Sequence, residues 1–68
     1  MSVARITEIK SSSSKSFDDA VQTGIARANK TLKNVRGAWG KEMEVACGDD
    51  GRITEYRVLL KVTFVLED

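Results

Sequence analysis

The spacing of apolar and polar residues changes along this chain and predicts four elements of secondary structure. Residues 3–10 mix β-branched and charged side chains in rough alternation, which indicates a strand with one face in water. The serine-rich residues 11–16 connect it to residues 17–33, whose apolar side chains recur at the spacing of an amphipathic helix. Two further strands are predicted over residues 36–47 and 52–66. The order is β-α-β-β, which is an α+β fold.

The predicted helix carries signals for its ends and for its packing. Ser16 is a good N-cap, because its hydroxyl can accept a hydrogen bond from a first-turn N–H group, and Asp19 has a capping-box-like spacing from it. Asn34 is suited to end the helix. Gly24 lies on the apolar stripe, where its missing side chain predicts close approach to a sheet. In the last strand the even-numbered positions 56–66 share one apolar face that can cover this stripe.

The turn between the last two strands decides which of their residues share a face. Residues 49–51 fit a three-residue loop with glycine in the left-handed conformation. Gly48 then faces Arg52, and the numbers of paired residues sum to 100. A four-residue loop gives a sum of 99 and places Trp39 in the helix-facing core, beside Tyr56.

We favour the first register, which leaves a second, partly apolar face that the helix does not cover. Such a face marks an interface or a ligand site. The residues predicted to share it are Trp39, Met43, Val45, Cys47, Ile53, Arg57, Leu59 and Val65.

Length and composition limit how the chain can be stabilised. The 68 residues make one domain, residues 1–68, and a chain this short buries only about 60% of the surface that its unfolded form exposes. With one cysteine and no histidine it has neither an internal disulfide nor a zinc site. Oligomerisation is therefore the expected source of further stability. Cys47 is expected to be a small buried hydrophobe.

The charge pattern limits the classes of partner that the protein is expected to bind. Eleven basic and ten acidic side chains give a net charge of +1, without the clustered positive face that nucleic-acid binding needs. No apolar run approaches the ~20 residues of a membrane span, and the N-terminal residues lack the apolar core of a signal peptide. We expect a soluble cytoplasmic protein that binds neither nucleic acid nor membranes.

Two side chains are the main candidates for a binding site. Trp39, flanked by glycines, can be a packing residue or a stacking platform for a planar aromatic ligand. Arg57 can pair with Glu42 or Glu55, or it can present a fork of donors to carbonyl or phosphate oxygens.

The remaining polar residues carry weaker signals. Asp49 and Asp50 are ordinary turn residues that could also hold a cation at a subunit junction. The chain has no histidine, phosphate-binding loop, dinucleotide fingerprint or nucleophile elbow. A binding or storage role is therefore expected rather than enzymatic turnover.

Several segments together resemble one known family, the dodecins. The resemblance rests on SFDDAVQTGIARANKTLKNV at 16–35, the tryptophan at 39, EYRV at 55–58 and KVTFVL at 61–66, and it extends from 3 to 67. It implies a three-stranded antiparallel sheet wrapped around one helix, and twelve copies forming a hollow homododecamer. It also implies storage or sequestration of flavins, riboflavin or FMN, between symmetry-related tryptophans, without turnover. Some members bind coenzyme A at a subunit junction, and a separate group is linked to calcium.

The resemblance also implies which residues would hold a flavin. Alignment places the stacking tryptophan of well-known flavin binders at Gly37, two residues before Trp39 on the same strand, and their ring-edge glutamine at Arg57. The leading hypothesis is that Trp39 stacks on the flavin and Arg57 contacts its polar edge, with Met43 and Val45 on the same face. The alternative is a dodecin-like shell that binds no flavin and instead binds calcium or coenzyme A, or acts structurally.

Overall fold

The computed structural model describes residues 3–66 and has the predicted β-α-β-β order. Its elements are β1 (Ala4–Ser13), α1 (Phe17–Thr31), β2 (Val35–Cys47) and β3 (Ile53–Val65). The strands form one antiparallel sheet in the order β1-β3-β2, so β3 is central. None of the helical segments in residues 3–66 has the length and apolar character that a bilayer crossing requires.

The first strand is longer than predicted, because part of the serine run belongs to it. Ser11, Ser12 and Ser13 pair with Val58, Arg57 and Tyr56 of β3. A small serine side chain at position 11 leaves room for the helix above it. A run of serines looks like a connection in the sequence, but here the backbone hydrogen bonds of the ladder decide its structure.

Ser16 caps the helix as predicted. Its Oγ accepts a hydrogen bond from the Asp19 backbone N–H at 3.0 Å. The carboxylate of Asp19 accepts a second bond from Ser13 Oγ at 2.6 Å, which ties the end of β1 to the first turn of α1. At the other end the helix stops at Thr31, two residues earlier than predicted, and Asn34 adopts a left-handed backbone with φ of 61°.

The core lies between α1 and the central strand. Val58, Leu60 and Val62 are buried on the face of β3 that meets Ala20 of the helix, so the even-numbered face covers the helix stripe as predicted. Phe17 closes one end of this core by an edge-on contact with the ring of Tyr56, with centroids 5.1 Å apart. The odd-numbered positions of β3 therefore point to the opposite side of the sheet, which we call the outer face.

The hairpin turn has the predicted three-residue loop. Gly51 has φ of 82°, its N–H donates to Gly48 O at 3.0 Å, and Gly48 N–H donates to Arg52 O at 2.9 Å. Trp39 pairs with Lys61, a residue of the outer face, because the two register irregularities between the turn and Trp39, at Ala46/Cys47 and at Gly40/Glu42, compensate. The four-residue loop, which would have buried Trp39 under the helix, is excluded.

A β-bulge changes the register in the middle of β2 and overturns one prediction. Between Gly40 and Glu42 the extra residue is Lys41, and the pairing of residues 42–46 shifts by one. Met43 lies opposite Val58 and Val45 lies opposite Tyr56, so both lie on the helix side.

The prediction that Met43 and Val45 share a face with Trp39 and Arg57 was therefore wrong. It assumed an unbroken alternation of side chains along β2. Both residues are nonetheless exposed, at 62% and 41%, because α1 lies mainly over β1 and β3 and leaves most of β2 uncovered.

The contact of Gly24 with the sheet gives the first testable prediction. A Cβ at this position would lie 3.0 Å from Ser11 Cβ and 3.3 Å from Leu60 Cδ1. Overpacking costs roughly 1–3 kcal/mol, whereas alanine gains only about 1 kcal/mol of helix propensity over glycine. We expect Gly24→Ala to lower the free energy of unfolding by about 1 kcal/mol, measured by urea titration at matched protein concentration.

A double-mutant cycle supplies the control. Ser11→Gly removes the Cβ that a new side chain at Gly24 would meet, so the double variant should lose less stability than the two single losses added together. Greater stability of Gly24→Ala than of the parent protein would contradict this description of the contact.

Candidate functional site

Trp39 lies on the outer face near the middle of the exposed edge strand β2. Its side chain is 49% exposed. Gly37, two residues earlier on the same face, has no side chain, and a Cβ added there would meet nothing within 4 Å, so the ring is open on that side along the strand. An indole in this position offers a flat apolar surface to a planar ligand.

A cluster of three charges adjoins the indole ring. Lys61 Nζ is 5.5 Å from the ring centroid of Trp39, in the range of a cation–π contact. Glu8 Oε1 of β1 lies 3.2 Å from Lys41 Nζ and 4.0 Å from Lys61 Nζ. Exposed cation–π contacts contribute about 0.5–1 kcal/mol, which is weak enough for a stacking ligand to displace the amine.

Arg57 occupies the other part of the outer face and is held by carboxylates. Its Nε donates to Glu55 Oε1 at 2.7 Å, which confirms one of its two predicted partners. Its Nη1 lies 3.8 Å from Glu44 Oε1, and Lys10 Nζ approaches the same oxygen at 3.3 Å. The hydrogen bond that Arg57 donates to Glu55 and the charge of Glu55 raise the pKa of Arg57, with a smaller contribution from Glu44. The guanidinium is therefore always charged and is already paired.

The structure separates the four residues that the sequence assigned to one site. Trp39 and Arg57 share the outer face, but the residue opposite Trp39 is Lys61, four positions along β3 from Arg57. At ~3.3 Å per residue this is about 13 Å. Met43 and Val45 lie on the other side of the sheet. Within one copy of the chain only Trp39 and Arg57 face the same space.

Sequence reasoning missed Lys61 and Glu8. The signal for Lys61 was present, because the predicted register already pairs position 39 with position 61. Glu8 lies opposite Lys61 across the other ladder of β3, so its position required the register between β1 and β3. No pattern in the short first strand specified that register.

Comparison with known proteins identifies the family. The family model that matches is that of the dodecins, and it covers residues 3–67. The chain belongs to the dodecin family. A dodecin from Thermus thermophilus is 35% identical over 66 residues, which span 97% of this chain and 94% of that protein.

Solved dodecin structures have the same fold. The dodecin from Streptomyces davaonensis has a TM-score of 0.93 at 33% identity, covering 98% of this chain and 97% of that one. A calcium-chelating dodecin from Mycobacterium tuberculosis, with a calcium-binding site, has a TM-score of 0.82 at 28% identity. That alignment covers 96% of this chain and 91% of the other. The predicted dodecin fold is thus confirmed, and assembly into dodecamers is known for the family.

Two smaller predictions concern the hairpin end of this dodecin. Asp50 uses its carboxylate within the turn, accepting from the Arg52 N–H at 3.0 Å. Within residues 3–66 no group of three or more acidic, cysteine or histidine side chains is placed to hold a metal ion.

Cys47 is exposed, so the expectation that it is buried was wrong. It pairs with Ile53 at the hairpin end of β2, on the outer face that the helix does not cover.

The charges around Arg57 give a second testable prediction. Glu44→Gln removes the carboxylate that contacts both Lys10 and Arg57, whose side chains are 64% and 41% exposed. Exposed ion pairs contribute about 0–1 kcal/mol, so the free energy of unfolding should change by less than about 1 kcal/mol in a urea titration. A loss above about 2 kcal/mol would show that this carboxylate is a structural requirement.

Proposed function

We propose that this dodecin binds a flavin, riboflavin or FMN, and stores or sequesters it without turnover. The observation that supports the proposal is the half-exposed indole of Trp39, open on the outer face beside Gly37, in a member of this family. The isoalloxazine ring is flat and aromatic, and it would stack on the indole. When bound, the flavin supplies a redox-active and light-absorbing ring, which the protein shields from solvent.

In this proposal, stacking of the flavin ring on the indole of Trp39 is the source of the binding affinity. Offset stacking of two aromatic systems contributes about 0.5–1.5 kcal/mol beyond the burial of their area. The area term is itself substantial, since burial of apolar surface contributes roughly 25 cal/mol per Å². A ligand on the ring face beneath Lys61 must move that amine aside, whereas the other ring face carries no such cation in residues 3–66.

The other predicted site residues would contact the flavin only when copies of the chain assemble. Arg57 has donors only, so it would contact flavin carbonyl oxygens and not the ring N–H. Because it is about 13 Å from the level of Trp39 along the strand, a flavin held by both would lie between copies of the chain. Met43 and Val45 face away from Trp39 in one copy, and they too would approach the ligand only from a neighbouring copy.

The proposed protein is a soluble cytoplasmic homododecamer that works as a flavin buffer. The exposed apolar side chains of β2 would be covered in such an assembly. Its partners would be other copies of itself and the flavin, with coenzyme A as an additional ligand at a subunit junction. Neither nucleic acid nor membrane binding is part of the proposal.

A fluorescence titration tests flavin binding directly. Micromolar riboflavin or FMN should lose fluorescence in a saturable way when the purified protein is added, because stacking on an indole quenches the flavin. Trp39→Ala should abolish the saturable quenching, and Trp39→Phe, which keeps a flat ring, should retain part of it.

Ile53→Ala is the matched control, because Ile53 has the same exposure of 49% but lies at the hairpin end of β3. It should leave the titration unchanged. Absence of quenching in the parent protein at micromolar flavin would reject the proposed function.

A second candidate function is a dodecin shell that binds calcium or coenzyme A, or acts structurally, and takes up no flavin. The likeness to the calcium-chelating dodecin of M. tuberculosis favours it. This protein would then be colourless after purification, and millimolar calcium, but not magnesium, would raise its melting temperature. The lack of a cluster of three candidate ligands within residues 3–66 of one copy means that such a site would need several copies.

A further inference from the structure

The outer face of the sheet is neutral as a whole but divided in charge. At the tryptophan end, Lys41 and Lys61 share the single carboxylate of Glu8, at 3.2 and 4.0 Å. This end carries one more positive than negative side chain. The amine of Lys61 lies over the indole of Trp39, 5.5 Å from the ring centroid.

The arginine end has the opposite balance. Glu42, Glu44, Lys10 and Arg57 line a small cavity of about 120 Å³, and Glu55 binds Arg57 from the side at 2.7 Å. Three carboxylates thus accompany two cations. The guanidinium of Arg57 is already neutralised by neighbouring carboxylates, so it does not attract an anion. A negatively charged group of a ligand is therefore expected to bind at the tryptophan end.

We infer that the Trp39 site selects a flavin that carries a phosphate over a neutral flavin, and that Lys61 is the residue that determines this selectivity. The inference rests on the proposed flavin-binding function. Lys61 is held more loosely than Lys41, since its amine is 4.0 Å from Glu8 rather than 3.2 Å. A ring that stacks on the indole moves this amine to the edge of the ring, where its three N–H donors can meet a phosphate group.

The expected size of the effect follows from the charges. A phosphate monoester carries about −1.5 to −2 charges at pH 7. Even across about 7 Å, which is beyond direct contact, its attraction to one ammonium in a nearly aqueous dielectric corresponds to roughly a fivefold gain in affinity. FMN should therefore bind this protein about fivefold more tightly than riboflavin at low salt.

The test compares the dissociation constants of FMN and riboflavin for the assembled protein by fluorescence quenching. Lys61→Met keeps the length of the side chain and removes the amine, so the ratio of the two constants should fall from about five to near one. Glu8→Gln frees both lysines and should raise the ratio. Lys10→Met is the matched control, a lysine of the same face at the arginine end, and it should not lower the ratio.

Salt gives a measurement that needs no variant. Raising the ionic strength from about 0.01 M to about 1 M shortens the screening length from ~30 to ~3 Å. It should weaken FMN binding to the level of riboflavin and leave riboflavin binding almost unchanged.

Two outcomes separate the inference from the proposed function. Equal binding of FMN and riboflavin, insensitive to Lys61→Met and to salt, would overturn the role of Lys61 and leave flavin binding intact. Failure of both flavins to bind would overturn the proposed function together with this inference.

Discussion

The close contact between Gly24 of the helix and Ser11 and Leu60 of the sheet is the constraint on which the rest of the structure depends. It allows α1 to lie directly on β1 and β3, with Val58, Leu60 and Val62 buried beneath it. In this position the helix lies mainly against β1 and β3 and covers little of β2. The helix side of β2 is therefore open at Met43 and Val45, whereas Trp39 lies on the outer face with half of its surface open to solvent.

This arrangement explains why so small a domain carries so much exposed apolar surface. The core of the described chain is small, and large apolar side chains remain accessible along β2 and at both ends of β3. A family that assembles into dodecamers can cover such surface between copies. A single copy has Trp39 and Arg57 on one face and Met43 and Val45 on the other, which makes assembly part of the proposed site.

The sequence specified the elements, the N-cap and the hairpin turn, because each depends on local chemistry. Ser16 caps the helix through its own hydroxyl, and Gly51 provides the positive φ that the three-residue loop needs. The bulge at Lys41 was not predictable in the same way. Both faces of β2 are exposed around it, so no alternation of buried and exposed side chains marks the register there.

The candidate site was predictable only in those parts that depend on local sequence. Trp39 was placed on the outer face by the turn, and Arg57 by the alternation along β3. The neighbours that set the charge around Trp39 come from all three strands, and the one from β1 depended on a register that no turn fixes. The resemblance to dodecins suggested a flavin as the ligand. The structure shows the charged residues that would discriminate between FMN and riboflavin.

Native mass spectrometry of the purified protein after incubation with excess FMN tests the central claim most directly. We expect one dominant species with the mass of twelve 7.5-kDa chains plus a whole number of FMN molecules, and a visible flavin absorbance that is released on denaturation. The same dodecameric mass with no added FMN, and no visible absorbance, would contradict a flavin-storing role for this protein.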